Sequence, residues 1–179
     1  MSSLRSILTR KKLRCRRRLT GALHASKMKL IAFDYNILSY LIQANKLSYS
    51  DVIDWAYKQY SDDGVDPFVE KIAIACDSKE IVEMISNQFQ VYGVPGMDFL
   101  VGEVVGSYNK GSISLHSAID AILYRIDVEL SDEEAQELHI ADDYFGWHKS
   151  PEAEALKHVG PMFNRYMSVY EEEVGKFCV

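Results

Sequence analysis

Residues 127–154, DVELSDEEAQELHIADDYFGWHKSPEAE, decide the fold. Ser131 followed three residues later by Glu134 has the spacing of a capping box, in which each side chain bonds to the backbone N–H of the other residue. Ser150 before Pro151 is a second start signal, because proline at the first helical position lacks only a donor that the first turn cannot use. The stretch therefore predicts two helices joined by a short loop.

The same signals recur on the N-terminal side of this stretch. Four apolar residues have the spacing of one buried helical face: Ile37, Leu38, Leu41 and Ile42. Further helix starts are Ser48 with Asp51 or Ser50 with Asp54, then Asp66–Pro67, and Asp77 with Glu80. The segment 97–109, MDFLVGEVVGSYN, contains valines that would suit a strand, but its apolar spacing favours a helix with a close contact at its glycines.

These signals predict an all-α fold, a single-domain bundle of seven or eight short helices over residues 28–179. Gly160–Pro161 is expected to kink or split the last helix. Trp55, Tyr60 and Cys76 are assigned to the core, because each continues or follows an apolar pattern.

Charge divides the chain at Met28. Residues 1–27 hold nine Lys or Arg and no acid, whereas the remainder holds all 26 carboxylates and 11 Lys or Arg, a formal charge of −15. An acidic body of this kind repels nucleic acid and anionic lipid and attracts cationic surfaces. We therefore expect no nucleic-acid partner for residues 28–179. The sequence has no apolar run of about 18 residues, so we also expect no membrane partner.

The basic segment 1–27 is expected to be a flexible arm outside the fold. Three interpretations stay open: it lies upstream of a natural start at Met28, it is a mitochondrial presequence, or it is an arm that binds nucleic acid. The three cysteines are odd in number and widely spaced without a CxxC motif, which favours a reducing compartment and a cytoplasmic protein.

No motif in the chain carries a recognisable chemistry. The sequence lacks HExxH, GxSxG, GxGxxG and GxxxxGK[ST], so it predicts no catalytic residue, no metal ligand and no cofactor. One alternative function is a metal-dependent hydrolase, with its metal ligands drawn from His139, Asp142 and His148.

Acidic and aromatic side chains are concentrated in the deciding stretch. Residues 127–154 contain ten carboxylates and one lysine, with aromatic rings beside the densest acidic pair. Charge steers a cationic partner and exposed rings anchor it, which predicts the partner-binding residues Glu133, Glu134, Glu137, Asp142, Asp143, Tyr144 and Trp147. The alternative is a solvated helix face whose rings point into the core. Glu171, Glu172 and Glu173 oppose the dipole at the end of the last helix, which leaves room for a partner role.

Two segments carry a likeness to a known family. LSYSDVIDWAYKQYSDDGVDPFVEKIAIACDSKEIVEMI and SAIDAILYRIDVELSDEEAQELHIADDYFG resemble, in their helix starts and apolar spacing, the small all-helical bacterial immunity proteins of polymorphic and contact-dependent toxin systems. The likeness covers most of residues 28–170, and the basic segment before Met28 departs from it. It implies a protein that binds and neutralises a cognate toxin and that uses no catalytic residue.

Charge and resemblance together predict an immunity protein that covers a basic toxin domain, a nuclease, with its acidic surface, since nucleases are basic where they hold phosphates. A helical adaptor protein, with residues 1–27 as a targeting presequence, is the main alternative.

Overall fold

The computed structural model describes residues 29–178. All regular secondary structure in this range is α-helical, which confirms the predicted all-α class and the expected seven or eight helices. In chain order these are α1 (Ala32–Gln43), α2 (Tyr49–Lys58), α3 (Pro67–Ala73), α4 (Ser78–Phe89), α5 (Met97–Asn109), α6 (Leu115–Tyr124), α7 (Asp132–Trp147) and α8 (Pro151–Gly175). The predictions made for residues 1–27 lie outside the described range.

Helix starts lie where the polar signals predicted them. Ser48 caps α2 and Ser131 caps α7 through reciprocal capping boxes with Asp51 and Glu134. Asp66 caps α3 by accepting the N–H of Phe68 at 2.8 Å, with Pro67 at the first helical position. These side chains satisfy backbone donors that the first turn of a helix leaves unpaired.

The helices group into two compact units. The first contains α1 to α4 and the residues from Lys176 onward. Trp55 is buried there against Phe177, and its indole N–H donates to the carbonyl of Lys176 at 2.8 Å. The Lys176 ammonium donates to the buried Asp34 carboxylate at 2.6 Å. These contacts hold Lys176 and Phe177 in the first unit.

The second unit spans Gly96–Gly175 and contains α5 to α8. Helix α8 packs along α5 and α7, and α6 contacts both α5 and α7. The core shared by these helices is apolar and includes Val105, Ile119, Leu138, Val159 and Phe163. Since α8 lies beside α7, residues from both helices meet on the surface described below.

Gly102 lies at the closest approach of α5 and α8. A Cβ atom at this position would come within 2.3 Å of the Tyr166 carbonyl oxygen and 2.6 Å of the Tyr170 Cβ. At Gly106, one turn later, the nearest atoms would be 3.5 Å away, at ordinary contact distance. The predicted glycine contact in this helix is confirmed, and it depends on Gly102.

Two local predictions are wrong, and a third is wrong in part. Tyr60 is exposed because α2 ends at Lys58, so the apolar period does not continue to residue 60. Cys76 is an exposed free thiol, since it follows the end of α3 and no longer belongs to its buried face. Of the kink or split expected at Gly160–Pro161, the split does not occur, because α8 continues as one helix of 25 residues with Pro161 inside it.

Candidate protein-docking surface

Helix α7 carries all seven residues predicted to bind a partner. Its buried positions are Leu138 and Ala141, which face the core of the second unit. A helix turns through about 100° per residue, so positions three or four apart share a face. The seven residues therefore cannot all point the same way.

Five of the seven lie together on one side of the helix, next to its core-facing positions. Glu133, Glu137, Tyr144 and Trp147 recur along one line of the helix, and Asp143 lies beside it. Glu133 and Asp143 are exposed, Glu137 and Tyr144 are half-buried, and the Trp147 side chain is 71% exposed. We call these five residues the outer face of α7.

Glu134 points elsewhere and stabilises the unit. Its Oε1 accepts the Tyr166 hydroxyl at 2.7 Å and contacts the Arg165 guanidinium, and its Oε2 accepts the Ser131 N–H at 3.1 Å. Burial raises the pKa of Glu134, but hydrogen bonds from Tyr166, Ser131 and Arg165 outweigh burial and lower it to about 2. This carboxylate is committed to contacts inside the unit and is not free for a partner.

Glu137 and Tyr144 are held in place by His158 from α8. The Nδ1 of His158 lies 2.8 Å from the Glu137 Oε2, and the His158 ring stacks on Tyr144 with a centroid separation of 5.6 Å. Tyr144 in turn contacts Trp147, with ring centroids 5.4 Å apart. The outer face is therefore partly ordered before any partner arrives, which reduces the entropy lost on binding.

Asp142 points toward α6. Its Oδ1 lies 3.2 Å from the Nε2 of His116 without hydrogen-bond geometry, and this buried oxygen has no hydrogen-bond partner among the described residues. The His116 ring stacks on Phe145, with centroids 4.6 Å apart and planes inclined by 14°. The two contacts join α6 to the C-terminal end of α7.

An open cleft of about 440 Å³ lies at this end of α7. It is lined by His116, Asp142, Asp143, Phe145, Gly146 and Trp147. Its walls combine two carboxylates with an exposed indole and a flat imidazole–phenyl stack. We call it the α7 cleft. It adjoins the outer face, with which it shares Asp143 and Trp147.

The suggested metal centre does not assemble. His139 lies beside Tyr124, and His148 packs against Tyr144 and Trp147, whereas Asp142 contacts His116. Within residues 29–178, no group of three or more His, Cys, Asp or Glu side chains is arranged to hold a metal ion. The hydrolase alternative therefore loses its proposed ligands.

Negative charge is concentrated in the unit that carries this surface. Residues 96–175 contain 16 carboxylates and five Lys or Arg, a formal charge of −11. Residues 29–95 with 176–178 contain ten carboxylates and six Lys or Arg, a formal charge of −4. An incoming cation is thus attracted mainly by the second unit.

Two histidines that contact this surface could not be predicted from the sequence. His116 and His158 come from helices other than α7, and their pairing with Asp142 and Glu137 follows from how α6 and α8 pack. His116 and Asp120 are four residues apart in α6, and Glu154 and His158 are four apart in α8, but these residues do not pair. Asp120 pairs with Arg125, and Glu154 pairs with Lys157 at 2.6 Å.

No protein-family model, no curated protein and no solved structure matches this chain. Among residues 29–178, no helix combines the length and apolarity that crossing a membrane requires.

Proposed function

We propose that this protein is an immunity protein, which binds a basic toxin domain through the outer face of α7 and so neutralises it. The observation that carries the proposal is Trp147, a large indole that is 71% exposed among carboxylates at the end of an acidic helix. Exposing such a ring to water is unfavourable, whereas burying it against a partner is a common source of binding energy.

The charge of the second unit favours a cationic partner over other classes. A unit with a formal charge of −11 repels nucleic acid and anionic lipid, and it accelerates encounter with a basic protein. Nuclease toxins are basic where they hold phosphates, so an inhibitor that presents carboxylates can occupy the same region. We therefore propose a nuclease toxin as the partner and the cytoplasm as the place of action, as expected of this class of inhibitor.

The placement of individual carboxylates refines the proposed contact surface. Glu133, Glu137 and Asp143 lie on the outer face with Tyr144 and Trp147, and they form the proposed contact. Glu134 supports the unit from within. Asp142 lines the α7 cleft beside the outer face.

Co-expression with the product of the neighbouring gene tests the proposal. We expect the two proteins to copurify and the toxin to lose its toxicity in cells that make this protein. Trp147→Ala should weaken binding by at least about 30-fold, the effect typical of an interface hot spot. Asp143→Lys should also weaken binding, and more at low salt than at high salt, because it reverses a charge on the contact surface.

Asp63→Lys is the matched control for Asp143→Lys. Asp63 is an exposed carboxylate between α2 and α3, so the variant makes the same substitution at a position outside α7. If Trp147→Ala and Asp143→Lys bind and protect as well as the parent protein, the outer face is not the contact. If no toxin or other basic protein encoded nearby is bound, the proposed function is wrong.

A further inference from the structure

The α7 cleft combines the three features that recognise a guanidinium group. Asp142 and Asp143 supply carboxylates, to which a guanidinium can donate two parallel hydrogen bonds. Trp147 supplies an exposed ring face for a cation–π contact. The His116–Phe145 stack supplies a flat wall. A planar cation with a long aliphatic stem fits such a cleft.

We propose that the α7 cleft is a socket for an arginine side chain of the protein's basic partner. The cleft has a volume of about 440 Å³ and is open to solvent, so it can receive the end of one side chain from the surface of a partner. Arginine is favoured over lysine because its flat guanidinium stacks on rings and pairs with carboxylates through two bonds, whereas an ammonium is a compact, strongly hydrated charge. Arginine is also among the residues that most often dominate an interface.

Charge around the cleft supports a cationic occupant. The cleft lies in the unit of formal charge −11, and no Lys or Arg lines it. His116 is the basic group among the lining residues, and its Nε2 already faces Asp142. Asp143 is exposed, so a ligand can reach its carboxylate. An anionic occupant would meet two carboxylates without a compensating cation.

The socket rests on the proposed function for the identity of its partner, but its chemistry can be tested without that partner. The chain has two tryptophans. Trp55 is buried and its indole N–H donates to the Lys176 carbonyl, whereas Trp147 is exposed beside the cleft. The two indole N–H signals in a nitrogen-15 correlation spectrum of the full chain therefore report on a site that should respond and on one that should not.

The probe is N-acetyl-arginine amide, titrated into the full-length protein, with N-acetyl-lysine amide as the comparison. We expect a saturable shift of the Trp147 indole signal with the arginine compound and binding about fivefold weaker with the lysine compound. The Trp55 signal should stay in place. An Asp142→Asn, Asp143→Asn double variant should abolish the shift.

Asp62→Asn with Asp63→Asn is the matched control. It removes the same two charges from exposed positions between α2 and α3 and should leave the titration unchanged. The socket is overturned by a linear, unsaturated shift, by equal binding of the two compounds, or by a response that survives in the cleft variant. Normal indole dispersion in each variant verifies that it is folded.

The two proposals fail in different ways. If arginine amide binds as expected but no basic protein is captured, the socket stands and the immunity function fails. If the toxin binds through the outer face but the free amide shows no preference for arginine, the immunity function stands and the socket fails.

Discussion

Individual residues in this protein show that a carboxylate's sequence context does not reveal its use. Glu133 and Glu134 are neighbours with the same charge, yet Glu133 is exposed and Glu134 accepts the Tyr166 hydroxyl at 2.7 Å. The capping box at Ser131 could be predicted because its two members lie three residues apart. The contacts with Arg165 and Tyr166 could not, since they depend on the packing of α8 against α7.

Glu134→Gln should destabilise the protein in a pH-dependent way. Gln can keep the capping bond to Ser131 but loses the charge that Arg165 and Tyr166 stabilise. We expect a loss of about 1–2 kcal/mol at neutral pH, reduced from the full pKa shift because Arg165 is largely exposed to solvent. Urea unfolding of the variant and the parent protein measures the difference in the free energy of unfolding.

The direction of the pH dependence follows from the pKa of about 2 for Glu134 in the folded state. The unfolded chain binds its proton at a higher pH, near the ordinary value of about 4.3, so acid favours unfolding. The advantage of the parent protein over Glu134→Gln should be complete above about pH 5 and disappear as the pH falls toward 2. Glu133→Gln, which removes an exposed neighbouring carboxylate, is the control; equal pH profiles for the two variants would contradict the assignment.

Lys176 should matter more than an exposed lysine in an ion pair. It pairs with Asp34, and both side chains are almost entirely shielded from water. Lys176→Ala leaves a buried carboxylate without this cation and should cost about 3–5 kcal/mol. Lys79→Ala, which removes a solvent-exposed pair with Glu83, should cost less than about 1 kcal/mol. Urea unfolding of both variants checks the contrast, and similar losses would contradict it.

At the scale of helices, sequence patterns predicted starts and types well and the ends less well. Ser131, Asp66 and Asp77 cap helices because their signals are local. The segment 97–109 was ambiguous by composition, and it is helical because its apolar residues face α8. Proline at position 161 did not end α8, since packing against α5 and α7 can hold a helix through a missing hydrogen bond. The outer face of α7 could be predicted as a set of residue types, but its division from the α7 cleft required the orientation of the helix.

Two glycines in α5 should respond in opposite ways to alanine. Gly102→Ala places a methyl group 2.3 Å from a backbone carbonyl of α8, so α5 and α8 must separate. We expect a loss of about 2–3 kcal/mol in the free energy of unfolding. Gly106→Ala meets ordinary contacts and should be neutral or stabilise the helix by up to about 1 kcal/mol. Thermal and urea unfolding compare the two variants, and a neutral Gly102→Ala would show that the helices are not in tight contact.

On the scale of the whole molecule, charge is distributed unevenly between the units. The formal charge of −11 on residues 96–175 could be counted from the sequence, but the boundary that makes it meaningful is a result of packing. The field of such a unit acts over about one Debye length, roughly 10 Å at 0.1 M salt, before a partner makes contact. Encounter and final contact should therefore depend on different residues.

Kinetics with the toxin domain should separate these two contributions. Raising the salt concentration from about 0.02 to 0.3 M should slow association of the parent protein by tenfold or more and change dissociation much less. Asp143→Lys should lower the association rate and flatten its salt dependence, because it removes part of the attractive field. Trp147→Ala should accelerate dissociation and leave the salt dependence unchanged, because an indole carries no charge. Surface plasmon resonance at several salt concentrations measures both rates. Association that is independent of salt would show that the charge of the second unit has a purpose other than steering a basic partner.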